Sequence, residues 1–186
     1  MHPIGEARKT LFASDCELRS RRIKGVSWTS AVRKLFGRAN TVAQDPIFGE
    51  IELQQGAWFA ASSFPRAEGP IEVSVWGEDK PTDAQRTVFA GLKERYEEIE
   101  PRIAQALFDE YRALSETEEC ANDPTFPRLT GPDDVWSISA AVSIDIYEEG
   151  YSSSYDSRLY YSFSVDIEHG RSIFLKDRRV VQVAVE

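Results

Sequence analysis

Cysteine and histidine are scarce in this chain of 186 residues, which has two of each. Cys16 and Cys120 lie far apart, and no CxxC pair or Cys/His spacing of the kind that holds structural zinc occurs. Two isolated thiols favour a reducing compartment over an oxidising one. We therefore predict a cytoplasmic protein with no disulfide, no metal site and no cofactor.

Long apolar runs and the common catalytic motifs are also missing. No segment approaches the roughly 18 apolar residues of a membrane-spanning helix, and the first residues lack the apolar run typical of a secretory signal. The sequence contains no GxGxxG after a predicted strand, no P-loop, no HExxH and no GxSxG. No catalytic residue can be nominated, which favours a non-enzymatic function.

Charge is distributed unevenly along the chain. The formal net charge is −9, but residues 1–44 contain nine Lys and Arg against three Asp and Glu, whereas residues 45–186 contain thirteen against twenty-eight. An acidic body repels a phosphate backbone, so we expect no nucleic-acid binding. The same charge suits a basic protein partner, although an acidic surface can also serve only to keep molecules apart in solution.

The N-terminal part of the chain shows little periodicity. We predict a disordered tail over residues 1–25, with the alternative that Val26 is the natural start and that the tail is a mis-assigned extension. Residues 26–44 are predicted to hold a short amphipathic helix, ending at Gly37, and then a linker. Docking of the segment 26–38 on its own domain is one interpretation, and weak contact with an anionic membrane is another.

Residues 45–186 are predicted to form a single α+β domain. Apolar and polar residues alternate over 47–54 and over 71–76, and a less regular apolar segment covers 58–64. A Gln-Gly pair supplies a turn between the first two segments along the chain. These segments predict a three-strand N-terminal antiparallel meander.

The clearest strand pattern lies in the second half of the domain. Apolar residues occupy every second position over 136–146 and again over 159–167. The segment 147–158 is rich in Tyr, Ser, Glu and Gly, as a long hairpin loop would be. A turn at 168–170, a short strand and a last strand over 181–185 complete a four-strand C-terminal meander.

Two helices are predicted between the meanders. Thr82 and Gln85 match a capping box at the start of the first helix, and apolar residues then recur at three- and four-residue spacing. Pro101 is expected to end this helix and to begin the second one, and a long loop over 117–134 follows. The predicted fold is therefore α+β, an antiparallel sheet of two meanders with a two-helix hairpin packed on one face.

The opening motif Asp45-Pro46-x-Phe48-Gly49-x-Ile51, followed by the strand pair, the two helices and the C-terminal hairpin, resembles a group of uncharacterised bacterial domains. Several of these domains look like members of immunity-protein neighbourhoods beside polymorphic toxins. The resemblance covers the whole predicted domain and implies no catalytic residue. Within the motif, Pro46 would end the linker, and Gly49 would permit a bulge or close packing.

The tyrosine-rich hairpin loop is the predicted partner-binding site. Five of the seven tyrosines lie in the loop or beside it, interleaved with acidic residues and serines, and this composition is typical of adaptable protein-binding loops. Tyrosine is also common in ordinary strands, and the phase of Tyr161 places it in the core. The residues expected to contact a partner are Glu148, Glu149, Tyr151, Tyr155 and Asp156.

One further cluster combines carboxylates with the second histidine. Asp166 and Glu168 would share one face of a strand, so together with His169 they could meet a cation. Exposed carboxylates at a strand end are far more often simply hydrated. This cluster therefore does not change the prediction that there is no metal site.

These observations predict a non-enzymatic protein-interaction domain that binds a basic partner, in the manner of an immunity-type inhibitor of a basic toxin. A second interpretation is an enzyme or small-ligand-binding domain with a pocket between sheet and helices, lined by Trp58, Trp76 or Trp136. A third is a membrane-associated accessory protein tethered by residues 26–38.

Overall fold

Eight strands lie in one sheet in the described part of the chain. The computed structural model describes residues 41–77 and 79–186, and the strands follow one another across the sheet in chain order. The strands are β1 (Thr41–Asp45), β2 (Gly49–Gln54), β3 (Ala57–Ser62), β4 (Ile71–Trp76), β5 (Ser139–Ile146), β6 (Ser157–Phe163), β7 (Asp166–Lys176) and β8 (Arg179–Val185). The helices are α1 (Asp83–Glu94), α2 (Tyr96–Ser115), α3 (Glu118–Ala121) and a 3₁₀ helix (Pro132–Ser137).

The predicted α+β class and both meanders are confirmed. The N-terminal meander corresponds to β2, β3 and β4, and the C-terminal meander to β5 through β8, with antiparallel pairing inside each group. The groups are joined by a parallel pairing of β4 with β5, in which Val73 faces Ile144 and Val75 faces Ile146. The helices form the crossover that a parallel pairing requires.

The helices cover one face of the sheet. A hydrogen bond of 3.0 Å between the Tyr96 and Tyr161 hydroxyls links α2 to β6 inside the core. Because both rings are buried, this bond satisfies two polar groups that would otherwise destabilise the core. Other fully buried side chains at this contact are Phe89, Leu92, Ile103, Leu107, Ile144, Ile146, Leu159 and Ile173.

The first helix begins as predicted, but the break between the helices differs. Thr82 Oγ1 accepts a hydrogen bond from the Gln85 N–H at 3.2 Å, and Gln85 Oε1 accepts one from the Thr82 N–H at 2.9 Å. The predicted break at Pro101 is wrong, because Pro101 lies inside α2 and the single residue Arg95 separates α1 from α2. A helical proline removes one backbone hydrogen bond, and the buried residues on both sides of it hold α2 against the sheet. A one-residue connection is shorter than the loop of about 2–5 residues in a helical hairpin.

Residues 41–44 correct the predicted linker. They belong to β1, which pairs antiparallel with β2 and places Ala43 opposite Ile51. The strand is short and has no clear apolar alternation, so its pairing with β2, rather than its own pattern, defines it. The predicted tail at 1–25 and the predicted helix at 26–38 lie outside the described residues.

The Asp-Pro-x-Phe-Gly motif forms the turn between β1 and β2. Asp45 Oδ1 accepts hydrogen bonds from the Ile47 and Phe48 N–H groups at 2.9 and 3.0 Å. Asp45 Oδ2 accepts one from Arg86 of α1 at 3.0 Å, and the Phe48 ring is buried in the core. Gly49 has φ +79°, and a Cβ there would meet nothing within 4 Å. The glycine therefore serves the backbone conformation of the turn rather than close packing.

A β-bulge changes the phase of β5. The register against β6 shifts between Ala141 and Ser143, so Val142 is 42% exposed while Ala141 is buried. Beyond the bulge, Ile144 and Ile146 lie in the core, as the alternation predicts. The predicted strand over 136–138 is wrong, because the 3₁₀ helix extends to Ser137. A proline at the first position of this helix favours its formation.

The turn between β6 and β7 lies earlier than predicted. Only two residues separate these strands, so residues 168–170 belong to a strand rather than to a turn. Ile167, which the alternation places on the core face, is 82% exposed. Gly170 has another purpose, because a Cβ there would overlap the Tyr160 side chain. This glycine permits the close approach of a ring to the backbone of β7.

Replacing Asp45 by alanine is expected to lower the free energy of unfolding by about 2 kcal/mol, because two backbone N–H groups and Arg86 lose their acceptor. Urea unfolding at neutral pH measures this loss. Asp109→Ala is the matched control, since exposed Asp109 accepts a hydrogen bond from Gln105 on the surface of α2 and should matter little. Equal losses in the two variants would contradict the role of Asp45.

The Asp45 carboxyl should also give this effect a pH dependence. Burial would raise its pKa, but hydrogen bonds from Arg86 and from two backbone N–H groups outweigh burial and hold the pKa below its ordinary value of 3.8. The contribution of Asp45 is therefore complete well above pH 3.8 and is lost as the pH falls through the lowered pKa. The stability difference between wild type and Asp45→Ala should shrink over that range.

Candidate functional site

The second face of the sheet, opposite to the helices, carries the candidate site. Alternation along β4 places Ser74 and Trp76 on this face, and the parallel register sets Asp145 beside Ser74. Arg158 of β6 lies opposite Asp145, and Phe174 of β7 lies opposite Arg158. One row of side chains thus crosses four neighbouring strands.

The loop between β5 and β6 is fixed to the neighbouring strands at both ends. The Tyr147 N–H donates to the Asp156 carbonyl at 3.0 Å, and the Asp156 N–H donates to the Leu175 carbonyl at 2.9 Å. The Asp156 carboxylate accepts hydrogen bonds from the Ser157 hydroxyl and from the Asp177 N–H, both at 2.9 Å. The loop is therefore an ordered part of this face.

Five aromatic side chains pack together here, and we refer to Trp76, Tyr147, Tyr151, Tyr155 and Phe174 as the tyrosine cluster. The Tyr147 ring stacks on Tyr151 with centroids 4.7 Å apart and meets Tyr155 edge-to-face at 5.1 Å. Trp76 lies 6.4 Å from Tyr147, and Phe174 lies 4.8 Å from Tyr155. Aromatic pairs at these distances stabilise one another, so the rings of the loop are held on the sheet.

Exposure divides the tyrosine cluster into a buried base and an outer surface. Tyr147 is 8% exposed and Tyr155 is half-buried, whereas Tyr151 is 57% and Trp76 is 37% exposed. Rigid aromatic rings that reach solvent are frequent anchors of protein interfaces. Tyr151 and Trp76 are therefore the groups best placed to contact a partner.

Three carboxylates share this face of the sheet with the Arg158 guanidinium. Asp145 Oδ2 accepts a hydrogen bond from Arg158 Nε at 2.6 Å, and Arg158 Nη1 also binds Glu186 at 3.1 Å. Glu72 of β4 adds a third carboxylate. Although Glu72 reaches solvent, its pKa is raised, first by desolvation and then by the charge of Asp145. The pKa of Tyr147 is raised by burial and by the same charge.

The predicted partner-binding residues divide into two groups. Tyr151 and Tyr155 belong to the tyrosine cluster, and Glu148 and Glu149 are exposed on the loop beside it. Asp156 uses both carboxylate oxygens to hold the loop to its neighbours. Its placement gives it a structural role within the domain.

Sequence reasoning misses Trp76 and Phe174 as members of this surface. Both are distant in the chain from the tyrosine loop, and only the sheet register brings them together. The sequence holds one indication of this, because Trp76 occupies the polar phase of an alternating strand. A tryptophan in that phase points away from the core.

The three tryptophans of the alternative pocket lie in different places. Trp58 is 3% exposed in the core, and its Nε1 donates to the Asp79 carbonyl at 2.8 Å. Trp76 lies on the opposite face of the sheet, and Trp136 lines a surface cavity near the β6–β7 turn. These three side chains therefore do not line one pocket between sheet and helices.

The cluster of carboxylates and histidine is assembled in part. Asp166 Oδ1 lies 3.0 Å from His169 Nδ1, while Glu168 is exposed. Within residues 41–77 and 79–186, no group of three or more His, Cys, Asp or Glu side chains is arranged to hold a metal ion. In that same part of the chain, no helix combines the length and apolar composition needed to cross a membrane.

Comparison with known families shows a match over residues 47–185 to the model described as Domain of unknown function (DUF6985). The match begins inside the β1–β2 turn and includes every element from β2 to β8. No curated protein and no solved structure matches the chain.

Replacing Arg158 by methionine is expected to lower the free energy of unfolding by about 3 kcal/mol, because Asp145, whose side chain is 6% exposed, would be left as an unpaired buried charge. Arg112→Met is the control, since Arg112 forms an exposed ion pair with Glu116 at 4.0 Å that contributes little. Urea unfolding of both variants measures the difference.

A second variant separates the charge effect from lost packing. Adding Asp145→Asn to Arg158→Met removes the unpaired charge and should recover part of the lost stability. If the double variant is no more stable than Arg158→Met, the ion pair is not what stabilises this face.

Proposed function

The chain belongs to the DUF6985 family, and we propose that its domain is a non-enzymatic protein-interaction module that binds a basic partner through the tyrosine cluster. The partner would place a cationic surface over Tyr151 and Trp76, with Glu148 and Glu149 at the margin. One observation carries the proposal: two exposed and fixed aromatic rings lie on the same sheet face as three carboxylates.

Two kinds of attraction would act together at this surface. A Lys or Arg side chain over an aromatic ring contributes about 0.5–2 kcal/mol, and nearby carboxylates add ion pairing that strengthens as water is excluded. The pKa of Glu72 is raised first by desolvation and then by the charge of Asp145, so both effects disfavour the ionised carboxylate. An approaching cation would reduce that cost, which supports a basic partner over an acidic one.

An immunity-type inhibitor of a basic toxin, acting in a bacterial cytoplasm, is the specific form of this proposal. The acidic composition of residues 45–186 supports it, because complementary charge speeds the encounter of an inhibitor with its target.

The experiment that tests this function compares baits in affinity capture from the native cells, read by quantitative mass spectrometry. The baits are the full chain, Tyr151→Ala and Val185→Ala, the last being a control at an exposed apolar residue of β8. A basic protein held by wild type and by Val185→Ala but lost from Tyr151→Ala would support the proposal. Equal retention on all three baits would remove the tyrosine cluster from the site.

With the captured partner purified, Tyr151→Ala is expected to raise its Kd at least about tenfold, because truncating an aromatic hot-spot residue costs about 2 kcal/mol or more. Isothermal titration calorimetry measures the change. Since Tyr151 is 57% exposed, the thermal unfolding temperature should change little. A Kd within twofold of wild type would contradict an anchoring role.

Charge reversal at Glu148 and Glu149 is expected to slow association by about tenfold at low salt and to alter dissociation less, because exposed rim charges act mainly on encounter. Stopped-flow or surface plasmon resonance measures both rates. Reversal of Glu118 and Glu119 in α3 is the control with the same change in net charge. Equal slowing in the two pairs would show that only net charge matters, and these loop residues would then not belong to the site.

A further inference from the structure

A second concave site lies away from the tyrosine cluster. An open surface cavity of about 310 Å³ is bounded by the end of the 3₁₀ helix, the start of β5 and the β6–β7 hairpin. This volume is at the lower end of the range for pockets that bind small molecules, about 300–1,000 Å³. Its wall combines aromatic, hydroxyl and acidic side chains, including Trp136, Ser162, Ser164, Glu68, Asp166 and His169.

One wall of the cavity is an irregular part of β7 that Arg171 holds in place. Tyr161 pairs with Arg171, and Phe163 pairs with Asp166. Between these two pairs β6 has one residue, Ser162, whereas β7 has four, residues 167–170. Arg171, which is 3% exposed, donates to the His169 and Gly170 carbonyls at 3.1 and 3.2 Å and to Asp166 Oδ2 at 3.2 Å. β-Bulges of this kind often re-aim side chains beside functional sites. The wall is therefore ordered before any ligand arrives.

The pair of Asp166 and His169 adds a carboxylate acceptor to this wall. Burial would raise the pKa of Asp166, but hydrogen bonds from His169 and Arg171 outweigh burial and lower it, so the carboxylate is ionised at neutral pH. His169 Nδ1 lies 3.0 Å from Asp166 Oδ1, so the two side chains are held together on this wall.

Three of the four serines that line the cavity also offer acceptors. Ser137 donates its proton to the Asp134 carbonyl at 2.7 Å, and Ser139 donates to the Val135 carbonyl at 2.9 Å. Ser162 donates to the backbone of β5 at 3.3 Å. Because each of these three hydroxyls already donates its proton, its oxygen can only accept further hydrogen bonds.

Carboxylates supply negative charge on the wall, and the Arg66 guanidinium lies 4.9 Å from the centroid of the Trp136 ring. The described residues that line the cavity include no lysine or arginine, and Glu68 adds an exposed carboxylate at its margin. Arg171 offsets the charge of Asp166, so Glu68 is the carboxylate best placed to attract a cation. An apolar surface, with Trp136 and the exposed Ile167, lies in the same cavity.

We propose that this cavity binds a small organic amine. The ammonium group would donate hydrogen bonds to the serine oxygens and the carboxylates, and the apolar part of the ligand would contact Trp136 and Ile167. A neutral alcohol of the same shape lacks the charge, and an anion would be repelled by the Glu68 carboxylate. The inference is independent of the partner proposed for the tyrosine cluster, which lies at the other end of β6.

The test is a titration of the full ¹⁵N-labelled chain with benzylamine, benzyl alcohol and benzoate, followed by NMR. Benzylamine is expected to shift the Trp136 indole N–H, assigned from Trp136→Phe, and the Ser162 and Gly170 amides. Its Kd should be at least about tenfold lower than that of benzyl alcohol, as a charge-assisted hydrogen bond is worth roughly that factor. Benzoate should cause no shift at these positions.

Matched variants check that the cavity is the binding site. Glu68→Gln is expected to raise the Kd for benzylamine about three- to fivefold, in line with an exposed charge pair. Glu119→Gln, at an exposed carboxylate of α3, should leave it unchanged. Equal affinity for amine and alcohol would overturn the proposal, and so would shifts confined to the Trp76 indole, because the amine would then bind the tyrosine cluster instead.

Discussion

The parallel pairing of β4 with β5 is the contact on which the rest of the sheet depends. It joins two antiparallel meanders that would otherwise be separate sheets. Parallel pairs are normally buried on both faces. The helices cover the first face at Val73 and Ile144, and the second face, with Ser74 and Asp145 at 6% and 5% exposure, also needs a cover.

That need explains why the tyrosine loop is ordered. A carboxylate buried at the junction is stable only when it is paired, and Arg158 from the next strand supplies the pair. Tyr147 then packs over this region. The loop therefore has two roles, since its inner rings complete the fold while Tyr151 and Trp76 form the surface on which the proposed function rests.

Local patterns predict most of the secondary structure, and tertiary contacts decide the rest. The capping box at Thr82 and the alternation in the meanders depend on neighbours in the chain, so the sequence is sufficient for them. The bulge at Val142 shifts the phase of its strand through pairing with β6, which periodicity cannot reveal. Gly170 indicates a turn by composition, but the structure uses it to admit the Tyr160 ring.

The sequence predicts only the part of the candidate site that lies in the loop between β5 and β6. Tyrosine density points to Tyr151 and Tyr155, because those residues are neighbours in sequence. Trp76 reaches the same surface through the parallel register. This pairing also sets Asp145 near Glu72, whose pKa is raised first by desolvation and then by the charge of Asp145.

The same pairing links the fold to the proposed recognition. A cation placed beside Glu72 would oppose the influence of Asp145 and lower the pKa of Glu72 again, so a basic partner would bind most favourably to the ionised face. Asp145 and Glu72 make the second face of the β4–β5 pair difficult to bury, and the same two carboxylates would favour a basic partner.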